Sequence, residues 1–167
     1  MHPKLSKEKF LFQEDPFHPG EQLCLIPTPQ IDVAILHAQM ASPDGTCRIV
    51  GPVFQDLDIA MAARRTIISC EQLVSDEEIG RHPELNTITG LCVDAVVPLP
   101  YGAYPSQCYG CYDYDADYYW EYDEASRTDE GFAAFVNKYV LEHSVHSSYL
   151  NRIGAARLLN LRVQEGC

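Results

Sequence analysis

Apolar positions along the chain change period several times, and each change predicts an element. Val33 to Leu36 form an apolar run within the stretch Ile31–Gly51, broken near its start only by Asp32. Such a run, without period-two alternation, suits a strand covered on both faces, as in a parallel sheet flanked by helices. It stops at His37 and Gln39, which lead into the turn residues Ser42, Pro43, Asp44 and Gly45. Upstream, Gln22–Ile26 reads as a short strand ended by Pro27 and Pro29. Two strands so close in sequence predict a hairpin, or a crossover into different parts of one sheet.

Cys47–Val50 is a further brief β-like piece, ending at Gly51-Pro52. Asp56–Arg65 then takes helical spacing, with Leu57, Ala60, Met61 and Arg64 on one face. Asp56 and Asp58 stand at its positive end and Arg64 and Arg65 at its negative end, as the macrodipole favours. Thr66–Cys70 predicts a strand, with Glu71 at its exit. Ser75-Asp76-Glu77-Glu78 is a capping box, so a short helix starts there and fails before Pro83. Cys92–Val97 predicts another strand, stopped by Pro98 and Pro100.

Strands alternating with helices give an α/β class: an open, mostly parallel sheet with flanking helices. The later part is helical. Thr128 caps a helix with apolar positions Phe132, Phe135, Val136, Tyr139 and Val140, and a final helix is expected over Tyr149–Leu158. Between sheet and helices, Tyr101–Tyr122 is too aromatic for a plain surface loop and too acidic for a core. It reads as a loop packed on the sheet edge or against another protein chain, or as rings covering this domain's own core. Residues 1–21 are polar and read as a lead-in segment, neither strand nor helix. The whole of 1–167 reads as one domain.

Composition narrows the function. The chain is 46% hydrophobic and 22% charged, ordinary for a globular protein. A formal net charge of −12 argues against nucleic acid, whose binding needs clustered Lys and Arg. No apolar segment approaches the roughly 20 residues of a membrane span, and the N-terminus lacks the apolar core of a secretory signal, so the cytoplasm is the expected location. The 7 cysteines are scattered, mostly in apolar runs where Cys acts as a small hydrophobe. Cys108-Tyr109-Gly110-Cys111 could be a redox or half-zinc site, but its Tyr and Asp neighbours do not favour a thiolate, and the inert reading is preferred. In open α/β sheets ligands sit beyond the carboxyl ends of strands. That points first to His37, Gln39 and the Ser42–Gly45 loop.

Longer blocks carry a resemblance. Ile31-Asp32-Val33-Ala34-Ile35-Leu36-His37-Ala38-Gln39 followed by Ser42-Pro43-Asp44-Gly45-Thr46, the run Thr66–Ile79, and Val93–Asp115 are similar to the family I CoA-transferases, in particular to A subunits of the glutaconate type. The likeness runs from Asp15–Glu21 to Gly154–Arg162. It implies only the C-terminal half of such a protein, since the family's A subunits are about twice this length, and a partial domain of that fold. The family's loop usually reads GAHPS, whereas here Tyr104 replaces the His in Gly102-Ala103-Tyr104-Pro105-Ser106.

The resemblance implies a relay between carboxylic acids. A glutamate attacks an acyl-CoA thioester, a mixed anhydride forms, and released CoA then makes an enzyme glutamyl-CoA thioester. The implied reaction moves CoA from acetyl-CoA to glutaconate or 2-hydroxyglutarate in glutamate fermentation. No metal or cofactor is required, CoA being a substrate. The nucleophilic Glu is expected on a partner, the CoA-transferase B subunit, in a hetero-oligomer, leaving this chain to build one wall of the site. Candidates for that wall are His37, Gln39, Ser42 and Asp44, then Tyr101, Gly102 and Ser106, whose amide and hydroxyl groups would hold a carboxylate or anhydride oxygen. The plain alternatives are that His37 and Gln39 satisfy backbone groups and that Asp44-Gly45 is only a turn. Glu71 is the rival catalytic group within the chain. Other outcomes are an acyl-CoA hydrolase, a transferase for another acid, or a non-catalytic truncated remnant.

Overall fold

The structure, a computed structural model, describes residues 10–163, which fall into two compact units, the first ending at Ile31 and the second starting at Asp32. In the first, β1 (Leu11–Glu14) pairs antiparallel with β2 (Gln22–Leu25), Leu11 opposite Leu25 and Glu14 opposite Gln22. The connecting turn is held by the Asp15 carboxylate, which accepts from the Phe17 N–H at 2.8 Å. The segment expected to be a structureless lead-in therefore contains a strand. All four of its residues are exposed, so no buried face imposes an alternation to read. Gln22–Leu25 and the next strand belong to different sheets, which corrects the expectation of a shared one.

The second unit is built on a four-stranded sheet in the order β4-β3-β5-β6. Its strands are β3 (Ala34–Ala41), β4 (Cys47–Arg48), β5 (Thr66–Leu73) and β6 (Ala95–Pro98). β3, β5 and β6 run parallel and β4 joins antiparallel at one edge. Register places Ala34 opposite Thr66 and His37 opposite Ser69. Ala38, Ala41, Ile68 and Cys70 bury between the sheet and its coverings, with Cys47, Ala60 and Ile88. The expected α/β class holds, but the sheet is fully covered on one face only: Ile35 on the other is 72% exposed, which corrects the expectation of a strand covered on both faces.

Several boundaries move. The helix α1 covers Asp56–Ala62, so Arg64 and Arg65 lie beyond it. The Arg65 carbonyl instead accepts from the Ala34 N–H at 2.8 Å, next to β5, which starts at Thr66 as predicted. Glu71 lies within β5 rather than at its exit. Gly90–Cys92 is a single 3₁₀ turn, and β6 starts later than predicted and includes Pro98. The capping box is present: the Ser75 hydroxyl accepts from the Glu78 N–H at 3.1 Å and starts α2 (Asp76–Gly80).

The C-terminal helices are α3 (Ala116–Ala125), α4 (Asp129–Val136) with a π turn continuing through Leu141, α5 (His146–Ile153) and α6 (Ala155–Leu161). α3 corrects the expectation of a loop over Tyr101–Tyr122. Its apolar and acidic side chains show no helical stripe, but Asp115 caps it by accepting from the Tyr118 N–H at 3.0 Å. Gly154, at φ +93°, divides the expected final helix into two. Thr128 caps α4 as predicted. Of its apolar positions, Phe135 and Tyr139 are buried, whereas Phe132 and Val140 are exposed.

Tyr104, Cys108, Tyr112, Tyr118, Phe135, Tyr139, Ile153 and Leu158 make a second core, so much of the aromatic stretch covers its own domain. Tyr104 donates to Asp115 at 2.7 Å, and Arg157 donates to the same carboxylate at 2.8 Å. Among the described residues no helix is long and apolar enough to cross a membrane.

Candidate functional site

The parallel register of β3 and β5 assembles the site. Residues two apart on a strand share a face, so His37 and Gln39 on β3 lie beside Ser69 and Glu71 on β5. His37 Nε2 pairs with Glu71 Oε1 at 2.8 Å, and Nδ1 pairs with the Ser69 hydroxyl at 2.8 Å. Tyr112 donates to the same Glu71 oxygen at 2.8 Å, and the Tyr101 N–H donates to the other at 2.9 Å. Burial by itself would raise the Glu71 carboxyl, but the hydrogen bonds from His37, the Tyr101 amide and Tyr112 outweigh it and hold it below its ordinary value. The carboxylate in turn pushes the Tyr112 phenol up, adding to the larger effect of burial.

Glu71 thus fastens the loop after β6. Tyr101 sits at φ +60°, a backbone conformation uncommon for a residue with a side chain, and its N–H is aimed at the carboxylate. Gly102 follows where the chain meets His37: a Cβ there would fall 2.8 Å from His37 Cε1 and 2.8 Å from the Leu99 carbonyl oxygen. His37, Glu71, Tyr101 and Gly102 therefore form one cluster.

The other candidates make no hydrogen bond to it. Gln39 is buried, and both ends of its amide are engaged: it accepts from the Val50 N–H at 2.9 Å and donates to the Val50 and Tyr109 carbonyls. Ser42 and Asp44 close the β3–β4 turn. Asp44 accepts from the Ser42 hydroxyl and from the Thr46 N–H at 2.8 Å, and these bonds, Ser42's foremost, hold its carboxyl below its ordinary value. Ser106 is exposed and shares a hydrogen bond of 2.8 Å with the Tyr119 hydroxyl.

An open cleft of about 340 Å³ lies beside the cluster. Ile35, Leu36, Ile49, Val50, Pro52 and Phe54 give it apolar walls, and His37, Gln39, Asp56, Gln107, Cys108 and Tyr109 supply its polar atoms. Cys108 is a buried free thiol pushed up to about 12 by desolvation, with the Glu71 charge adding to it. It is a protonated wall group rather than a nucleophile. Ligand atoms of His37, Glu71 and Cys108 lie within 4.8 Å of one another, the less exposed of two such sets among the described residues. A metal there would have to break the His37–Glu71 and Tyr112–Glu71 bonds and deprotonate the thiol. The more exposed set, Asp15, His18 and Glu21, sits in the turn of the β1–β2 hairpin.

Sequence reasoning passed over Ser69, Tyr112 and Gln107. Ser69 and Glu71 share period-two spacing with His37 and Gln39, the one signal that could have joined them. Tyr112 arrives only through the tertiary fold.

Residues 7–98, more than half of the chain, match the sequence model of the family described as coenzyme A transferase. The A subunit of glutaconate CoA-transferase from Acidaminococcus fermentans is 55% identical over 163 residues, which cover 98% of this chain and 51% of that protein. The A subunit of 3-oxoadipate CoA-transferase from Pseudomonas knackmussii is 32% identical over 127 residues, 72% of this chain and 42% of that protein. The crystal structure of glutaconate coenzyme A-transferase from Acidaminococcus fermentans superposes with a TM-score of 0.91 at 56% identity, covering 96% of this chain and 50% of that one. The chain thus spans about half the length of the first relative and less of the second.

Proposed function

Because this chain belongs to the coenzyme A transferase family, we propose that it supplies part of the A subunit of an enzyme that moves CoA between acetyl-CoA and a C5 dicarboxylate, glutaconate or 2-hydroxyglutarate. The observation that carries this reading is the likeness, along almost the whole chain, to the A subunit of glutaconate CoA-transferase. In this reading a partner, the B subunit, contributes the nucleophilic Glu and completes a hetero-oligomer, and glutamate fermentation is the setting in which such acids meet CoA. The relay runs through carboxylates and calls for no metal.

The geometry of Glu71 supports that division of labour. Both of its oxygens already accept hydrogen bonds from within the chain. A carboxylate so stabilised is a weak nucleophile, and attack would require it to shed those donors. Its role here is to position His37 and the Tyr101–Gly102 backbone at one wall of the site.

The test is to purify the chain with a B-type subunit, then assay CoA exchange between acetyl-CoA and glutaconate. Radiolabelled CoA should then be found in thioester linkage to the partner and not to this chain. Label on Glu71 would overturn the assignment, and hydrolysis of acetyl-CoA without transfer would mark an acyl-CoA hydrolase instead.

A further inference from the structure

Between Tyr101 and Ser126 the chain carries acids and aromatic rings but no Lys or Arg. Most of those acids draw a cation from later in the chain. Asp115 takes Arg157, Glu121 takes Lys138, and Asp123 and Glu124 share Arg127. Asp117 is exposed and makes no hydrogen bond or ion pair within the described chain. It stands on the outer face of α3, one turn before Trp120, the chain's single tryptophan. Trp120 is 68% exposed and shares no ring contact within the described chain, whereas Tyr118 is buried and fastens the opposite face of the helix. Helical side chains lean over the preceding turn, so the indole lies over Ala116, which is too small to shield it, and beside Asp117. Tyr119 and Tyr114 extend the exposed aromatic surface, with ring centroids 6.4 Å apart.

This face stabilises nothing inside the described chain, and its chemistry says what it would accept. A wholly apolar surface laid over Trp120 would strip water from Asp117 and leave its charge unpaired. An acidic surface would be repelled. A guanidinium meets both demands, since it stacks on an indole face and its edge forks to a carboxylate. The formal net charge of −12 acts in the same sense at longer range and steers a basic surface toward the chain. Resting on the transferase reading above, we propose that the outer face of α3 docks the B-type subunit through an arginine-bearing surface. Trp120 is the anchor of that contact and Asp117 its charge partner, an aromatic centre with a charged rim as in other protein interfaces. The face is separate from the Glu71 cluster, so it serves assembly and not the chemical step.

The experiment labels the chain with fluorotryptophan, so that its single indole gives one ¹⁹F signal, and titrates it with the unlabelled B-type subunit of the exchange assay. On association the signal should move and lose its H₂O/D₂O solvent-isotope shift as the indole is covered. Trp120→Ala should weaken association by about 30-fold or more, as loss of an interface anchor does. Asp117→Asn should weaken it by about 3- to 10-fold and flatten its dependence on salt, with Asp117→Lys weaker still. Both side chains are exposed, so the free variants should keep the circular dichroism and thermal midpoint of wild type. A complex that exchanges CoA while Trp120 keeps its solvent-isotope shift, or Trp120→Ala binding as tightly as wild type, would overturn the proposal and leave the transferase reading standing. Failure of the wild-type chain to bind the B-type subunit at all would overturn both, so the two failures are told apart.

Discussion

Asp115 holds the aromatic core to the C-terminal helix, and its removal should be among the most damaging single changes in the described chain. It is 3% exposed. Its carboxylate caps α3, accepts the Tyr104 hydroxyl and receives two bonds from Arg157. Asp115→Ala removes an N-cap, worth about 1 kcal/mol. It also leaves the Tyr104 hydroxyl buried without an acceptor, at about 1–3 kcal/mol. Arg157 retains some contact with solvent, its side chain being 30% exposed, so its lost pairing adds less than a fully buried charge would. The sum is a destabilisation of about 3 kcal/mol. Asp115→Asn keeps an acceptor oxygen for the cap and should cost less, about 1–2 kcal/mol. Urea unfolding followed by circular dichroism gives each value from the midpoint, provided the slope is unchanged. Tyr104→Phe supplies the cross-check: it should destabilise the wild type yet be neutral or favourable in the Asp115→Ala background, where its hydroxyl is already orphaned. A cost below about 1 kcal/mol for Asp115→Ala, or equal effects of Tyr104→Phe in both backgrounds, would refute the reasoning.

Three further outcomes are expected. Glu71 has a folded pKa below its unfolded value, so its contribution to stability is complete above the ordinary carboxylate range, near about 4.3, and is lost as pH falls through the folded value. The stability gap between wild type and Glu71→Gln should therefore shrink between about pH 6 and pH 3, and a gap that widens toward acid would reverse the assignment. Ellman's reagent at neutral pH should modify exposed Cys24 promptly and leave Cys47 and Cys108 untouched until the chain unfolds, because burial pushes both thiols up to about 12. Gly90→Ala would drive a Cβ into the Asp44 carbonyl oxygen, a backbone atom. It should cost at the upper end of the about 1–3 kcal/mol typical of overpacking, and a thermal midpoint equal to wild type would contradict that packing.

The main sheet was legible because β3 and β5 carry unbroken apolar and β-branched runs, although only one face of β5 is fully buried and Ile35 of β3 is exposed. Ser75 and Thr128 announced their helices because a cap is a local hydrogen bond between near neighbours. α3 was not legible. Its segment mixes Tyr, Trp and acids without a stripe, and what makes it a helix is the Asp115 cap together with rings that find partners on α4 and the turn after it. Of the β1–β2 hairpin only β2 was legible, as the short run before Pro27; β1 escaped because it is exposed and lies in a polar segment. At the site, the sequence brought His37 and Gln39 forward as residues at the expected end of a strand, whereas β3 runs on past both to Ala41. It could not tell that Gln39 ties down the Val50 and Tyr109 backbone while His37 faces Glu71. That distinction depends on the register of β3 against β5, which no single strand encodes.

The same register fixes the direction of the protons. An ionised Glu71 can only accept, so His37 must keep a proton on Nε2. Ser69 lies within reach of two acceptors, His37 Nδ1 at 2.8 Å and the Leu36 carbonyl at 3.2 Å. With that proton on Nε2, Nδ1 can accept the serine hydrogen, so the register of two strands settles which tautomer the ring holds.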